Sequence, residues 1–590
     1  MPLAIEDYAL IGDCHTAALV GNDGSIDWLC LPRFDSASTF GALLGTEDHG
    51  RWLLAPAGAH LETSRSYVRD SFVLETRWVT ETGEVVVTDL MPHGDRRADV
   101  IRRVRGVSGT VTMAQLLEIR FDYAAALPWV RQLPAGAGLV AVAGPDALVY
   151  HGPALAPQGM SHAGEFEVAA GQVVDITLTW YPAHRDAPEA PDIDGVIAST
   201  VRWWQQWAAP IDPCEEFEQP VRRSLLMLRA LTHEDTGGIV AAATTSLPEQ
   251  FGGERNWDYR YVWLRDASLT LSVLLNHGYT TETEGWRRWL LRAVAGDPAD
   301  IQIMYGLSGE RRLEEWSPSS LPGYLGAAPV RVGNGAAGQY QGDVFGEVML
   351  ALRHAREAGI AETEYSWSLQ LAIMTRVEAD WREPDSGIWE IRGALQHFTH
   401  SRVMIWAALD CAIDAVRTSG LDGPVERWER LRDEVAAEIE ARGFDAERNS
   451  YTQYYGSAGV DASLLQLPQV GYLAADDPRM LGTVAAIESE LLRDGLVLRY
   501  RSETGVDGLP AGEHPFLACS FWLVEQYAAS GRLDDARRLM TRLVGFCNDV
   551  GMLSEEVDAA TGHHVGNTPQ ALSHLALVRA ADAISAAARA

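Results

Sequence analysis

Two pairs of adjacent glutamates stand out among the residues able to do chemistry: Glu314 and Glu315 in "RRLEEWSPSSLPGY", and Glu555 and Glu556 in "GMLSEEVDAATGHHVGN". Each pair stands where an ordered stretch gives way to a loop rich in Ser, Pro or Gly. Adjacent carboxylates in such a place are most often a solvated surface. Two such loops are also what acid–base cleavage of a glycosidic bond requires: one carboxyl protonated to give its proton to the leaving oxygen, one ionised to activate water. A neighbouring negative charge raises a carboxyl's pKa, so pairing would help keep the donor protonated.

The tryptophans point to the same chemistry. Several lie beside acids and glycines, in "GGERNWDYRYVWLRDASL", "LEEWSPSS" and "GIWEIRG", rather than in apolar helix stripes. An indole face stacks on the C–H face of a pyranose, while carboxylates and guanidinium groups bind its hydroxyls. Trp257 and Trp263, close to Arg265 and Asp266, are the strongest sugar-binding candidates by that criterion; Trp203, Trp204 and Trp428 read as core. His563, His564 and His574 near Glu555 match no HExxH-type spacing, and no metal or cofactor is expected.

These residues need a scaffold large enough to hold them. At 590 residues the chain exceeds the size at which a single core keeps growing, and 47% hydrophobic with 22% charged residues is an ordinary globular composition. A formal net charge of −33 excludes nucleic acid and anionic membrane surfaces as partners and suits a neutral or cationic small molecule. No apolar stretch is long enough to span a bilayer, and the acidic start lacks the basic residues and apolar run of a secretion signal, so a cytoplasmic location is expected. The six cysteines show no CxxC spacing and read as apolar filler.

Periodicity divides the chain. Up to about residue 180 it is strand-like: "VVDITLTWYP" alternates apolar and polar residues as a half-buried strand does, and "GEVVVTDLMP", "DSFVLETRWV" and "GLVAVAGPDALVYHG" read alike. A Pro/Ala/Asp-rich loop over 181–195 leads into a linker helix at "VIASTVRWWQQW". Beyond it, stretches such as "FGEVMLALRHARE", "HSRVMIWAALDCAIDAVRT" and "PFLACSFWLVEQYAASG" carry helical spacing. The expected organisation is a β-sandwich over 1–195, a linker helix over 196–214, and over 215–590 a toroid of about a dozen helices whose loops gather at one end around a pocket.

Five blocks carry a resemblance: "GDCHTAALVGNDGSIDWLCLPRFDSASTFGALL", "SLPEQFGGERNWDYRYVWLRDASLTL", "LPGYLGAAPVRVGNGAAGQYQGDVFGE", "GVDGLPAGEHPFLACSFWLVEQYAASGRLDDA" and "LSEEVDAATGHHVGNTPQALSHLAL". In this order, over essentially the whole chain, they resemble glycoside hydrolase family 15. The resemblance implies an N-terminal β-sandwich followed by an (α/α)6 barrel, and exo-acting hydrolysis of α-glucosidic bonds with inversion. It implies Glu315 as general acid, with Glu314 as a neighbour that tunes it, and Glu555 as general base. It also implies that Arg265 and Asp266 hold the non-reducing-end glucose. The chain departs from the family pattern at Trp316, Ser317, Phe345, His400 and Arg402, which should bear on the leaving sugar. A small α-linked gluco-oligosaccharide or disaccharide of the glucoamylase, isomaltose or trehalose type is the expected substrate. Phosphorolysis on the same barrel, disfavoured by the carboxylate at Glu555, and carbohydrate binding without turnover are the alternatives.

Overall fold

The computed structural model describes residues 2–589 except 95, 135–137, 212–215 and 296–300. Between Tyr8 and Pro182, fifteen strands share one hydrogen-bonded network. Its organiser is the 21-residue strand Ala98–Glu118. The first half of this strand pairs with Gly83–Leu90 and Val173–Pro182, the second half with Arg51–Pro56 and Ser161–Ala169, so it passes from one group of strands to another. The crossing is made where glycine is required: Gly109 has φ +62°, and a Cβ there would lie 2.0 Å from the Thr82 carbonyl oxygen.

The strand read as half-buried, Val173–Pro182, is buried on both faces over Ile176–Thr179. Thr177 stands opposite Ile101, and Ile101 packs under Ile193, Val196, Ile197 and Val201 of the helix that follows the strands. That helix, α1 (Ile193–Ala208), begins before the predicted linker helix. The predicted boundary at 214/215, with Cys214, lies outside the described residues.

Eleven further helices follow among the described residues: α2 (Glu218–Ala230), α3 (Leu264–Asn276), α4 (Thr280–Ala293), α5 (Asp343–Glu357), α6 (Glu364–Asp380), α7 (Thr399–Ser419), α8 (Val425–Arg442), α9 (Pro478–Leu491), α10 (Leu517–Ala529), α11 (Leu533–Val544) and α12 (Ala571–Arg589). Packing runs from α3 to α5 to α7, through the 3₁₀ turn Ala462–Gln466 to α10, then to α12 and back to α3. The helices of this circuit are buried over most of their surface: α10 is buried from Leu517 to Ala528, and α5 from Asp343 to Leu352. Helices α8 and α11 instead bury one stripe and expose a charged face. Helix α12 is long and apolar enough to cross a membrane, but it packs between α2, α3 and α10 with Ala571–Val578 buried.

Candidate active site

The loops preceding α3, α5, α7, α10 and α12 converge on one cavity. Its walls include Glu249, Trp257, Tyr259, Trp263, Arg265 and Asp266 from the approach to α3, Trp389, Glu390 and Arg392 before α7, Arg499 and Tyr500 before α10, and Glu555 before α12.

The approach to α3 shows how sequence becomes wall. Trp257 and Tyr259 line the cavity, while Asp258 and Arg260 between and after them form a fully buried ion pair at 2.7 Å. This is the alternation of an extended chain. Its backbone is held from outside, the Ser246 amide donating to the Trp257 carbonyl at 2.8 Å and the Ala242 amide to that of Tyr259 at 2.9 Å.

Two cavity carboxyl groups lack charged hydrogen-bond partners. Glu555 is 1% exposed and accepts a hydrogen bond from the Tyr259 hydroxyl at 2.6 Å, while its other oxygen has no partner. Burial, then the Glu249 carboxylate, push Glu555 above the usual glutamate range, opposed by Arg499 and the Tyr259 hydrogen bond. Glu390, before α7, accepts a hydrogen bond from the Trp263 indole at 2.6 Å, with Arg265 at 3.7 Å. Burial, opposed by Arg265 and reinforced by Asp266, raises its carboxyl too. Glu390 has φ +59°, a left-handed conformation that strains a non-glycine residue and that recurs where a side chain must be aimed. Tyr259 and Trp263 stand edge to face with centroids 5.5 Å apart, so one aromatic pair contacts both carboxyl groups.

Of the residues expected from sequence, Glu555, Trp257, Trp263, Arg265 and Asp266 line this cavity together. The Arg265 guanidinium donates to Asp266 at 2.9 Å and to the Ile388 carbonyl at 2.5 Å. The Trp257 indole donates to Glu249 at 3.0 Å.

Glu315, expected as the acid, does not line the cavity. Its segment pairs in extended form with Val332, the Trp316 amide donating to the Val332 carbonyl at 2.9 Å. The alternation turns Glu314 to solvent and Glu315 to two arginines, Arg392 at 2.8 Å and Arg331 at 3.5 Å, and to the Gly335 amide at 3.0 Å. Burial alone would raise Glu315; these partners outweigh it and hold the carboxyl below its usual range. Extended neighbours face opposite ways, so the Glu314 carboxylate stands apart from that of Glu315. Glu315 instead anchors Arg331 and Arg392, whose guanidinium carbons lie 4.4 and 4.1 Å from the Trp257 ring.

The expected leaving-sugar residues also lie elsewhere. His400 and Arg402, in the first turn of α7, are buried outside the cavity lining because an inner helix encloses its own start. Burial, then Arg265, push the His400 imidazole down to about 3. Arg402 donates to the carbonyls of Trp381 and Glu383 and meets His397. Trp316 is half-exposed against Tyr123, and Phe345 is buried in α5. Glu556 is fully buried beneath Glu555, accepting from the His514 amide at 3.0 Å. The nearby histidines are bound to protein groups, His563 to Glu6, His564 to the Phe546 carbonyl and His574 to Ser224 and Leu553.

Glu390 and Tyr259 line the cavity but were not singled out from sequence. Both stand inside aromatic stretches already singled out, "GIWEIRG" and "NWDYRYVW": Glu390 directly follows Trp389, and Tyr259 lies between Trp257 and Trp263.

The chain matches known proteins along nearly its whole length. Residues 216–582 match the family model for glycosyl hydrolases family 15, and residues 1–177 match that of trehalase-like N-terminal domains. It is 36% identical to a trehalase of Mycolicibacterium smegmatis, over 98% of this chain and 90% of that one. It is 34% identical to a trehalase of Thermoplasma acidophilum, over 95% and 97%. A crystal structure of a bacterial glucoamylase complexed with acarbose superposes with TM-score 0.76 at 13% identity, covering 99% of this chain and 94% of that one, so the fold is glucoamylase-like. With the family model spanning all the helices that wall the cavity but the last residues of α12, the chain is a glycoside hydrolase and belongs to glycoside hydrolase family 15.

Proposed function

We propose that the protein is an exo-acting, anomer-inverting α-glucosidase whose substrate is trehalose, with Glu390 as general acid and Glu555 as general base. The observation that carries this reading is the pair itself: two carboxyl groups on loops before α7 and α12 that face one cavity and meet one aromatic pair, Trp263 and Tyr259, with Glu390 raised by burial as a proton donor should be. Glu390 would protonate the glycosidic oxygen, and Glu555 would take a proton from water attacking the anomeric carbon from the other side. Arg265, Asp266, Trp257 and Trp263 would hold the glucose undergoing attack. The choice of trehalose is supported by relatives of that name that are similar over nearly all of both chains. The circuit of inner helices supports an (α/α)6 barrel over 215–590 with the Ala462–Gln466 turn as its shortest inner member, joined by the linker over 196–214 to a β-sandwich over 1–195.

Water is the better nucleophile than phosphate here. The cavity arginines are each engaged by carboxylates: Arg255 by Asp507, Arg265 by Asp266, Arg392 by Glu315 and Arg499 by Glu249. Incubation with trehalose, maltose and isomaltose, with and without phosphate, tests the proposal. Glucose from trehalose in preference to the others, with no glucose 1-phosphate, is expected; preference for another disaccharide would replace the substrate, and glucose 1-phosphate would replace the reaction.

A further inference from the structure

Arg260 does not line the cavity but is adjacent in sequence to Tyr259, whose hydroxyl donates to Glu555. Its guanidinium is fully buried, and all five of its N–H donors are used. Two go to Asp258, at 2.9 and 2.7 Å. The other three go to the N-terminal domain: the Ser36 carbonyl at 2.7 Å, the Cys30 sulfur at 3.3 Å and the Tyr123 hydroxyl at 2.9 Å. Asp258 is clamped in turn, accepting the Gly333 amide at 3.3 Å. Tyr259 therefore sits between two immobilised neighbours, with its own carbonyl tied to Ala242. A buried ion pair adds little net stability over apolar packing of the same volume, so its effect here lies in fixing geometry.

We infer that the N-terminal domain is a working part of the active site, acting through Arg260 as a positioning residue that aligns the Tyr259 hydroxyl on Glu555. The inference rests on Glu555 being the general base. A guanidinium fixed by five donors can shift only by breaking several at once, and the extended chain carries any shift to the next side chain. The Tyr259 hydrogen bond favours ionised Glu555, so loosening Arg260 should make the base harder to ionise as well as less well placed.

The test uses full-length Tyr123→Phe, Arg260→Lys, Tyr259→Phe and the Tyr123→Phe/Tyr259→Phe double variant, with kcat, KM, the pH profile of kcat/KM and Tm measured for each. Tyr259→Phe should lower kcat about tenfold and move the acid limb of kcat/KM up by about one pH unit. Tyr123→Phe, which keeps the ring and removes one hydrogen bond, should move the same limb the same way by a smaller step, with KM within about twofold. In the Tyr259→Phe background it should add nothing to either readout, the signature of residues acting through one another. A lowered Tm with unchanged kcat and acid limb in both Tyr123→Phe and Arg260→Lys would reduce the cluster to a domain glue and overturn the inference. So would full additivity in the double variant. Should Arg260→Lys fail to fold, Tyr123→Phe decides. Wild-type turnover by Glu555→Gln, measured alongside, would remove the base itself and with it the reading on which the inference stands.

Discussion

At the scale of single residues, function here is decided by what each carboxyl group meets, not by which carboxyl groups are adjacent in sequence. Glu390→Gln and Glu555→Gln should each lower kcat by about 10² to 10⁴, with Tm little changed, as loss of an acid or a base does. Glu315→Gln should cost about tenfold at most, through loosening of Arg392 over Trp257; a loss equal to that of Glu390→Gln would return the acid role to Glu315. Because Glu555 must be ionised to act and is raised by burial and Glu249, the acid limb of kcat/KM should lie above the ordinary glutamate value of about 4.3. The cavity-lining residues Trp257, Trp263, Arg265 and Asp266 were legible because their types cluster locally. The acid was not. Choosing between Glu315 and Glu390 depends on arginines arriving from other loops, Arg331 and Arg392, and on the left-handed turn that aims Glu390.

At the scale of elements, helical periodicity marked stretches that the structure shows as α5, α7 and α10, among others, and the structure adds α3, α4 and α9. What periodicity could not supply was which helices lie inside. That shows only in three dimensions, as in α7, where even the first turn is enclosed, and in the 3₁₀ turn Ala462–Gln466 that takes a helix's place in the circuit. The inner position of α5 has an energetic consequence. Asp343 is fully buried with both oxygens lacking hydrogen-bond partners, and burial, then Asp385, raise it to about 7. Between the ordinary aspartate value of about 4 and that raised value, the folded state keeps a proton that the unfolded state has lost, so the Asp343 contribution to stability falls as pH rises. Asp343→Asn should therefore raise Tm relative to wild type more at about pH 8.5 than at about pH 5.5. Equal differences at the two pH values would show that Asp343 is ionised in the folded protein throughout.

At the scale of the whole molecule, the strands and helices share one large hydrophobic cluster, and the N-terminal domain meets the helical region directly: the Trp28 indole donates to the Ala243 carbonyl at 3.0 Å, and Arg33 meets Ser308 and Glu310 at 2.8 and 3.1 Å. Sequence showed two regions and their order but not this interlock, which is built from contacts more than two hundred positions apart in the chain. The net charge of −33 has no counterpart in a neutral sugar. For trehalose, kcat/KM should change by less than about twofold between low and high salt, since no Coulomb steering is present to be screened. The most direct test of the central claim is proton NMR of the anomeric signals during the first minutes of trehalose hydrolysis. Inversion driven by Glu390 and Glu555 predicts β-glucose and α-glucose in equal amounts before mutarotation, one from the attacked ring and one from the leaving ring. α-Glucose alone would mean retention, and water could not then be the nucleophile that Glu555 activates in a single displacement.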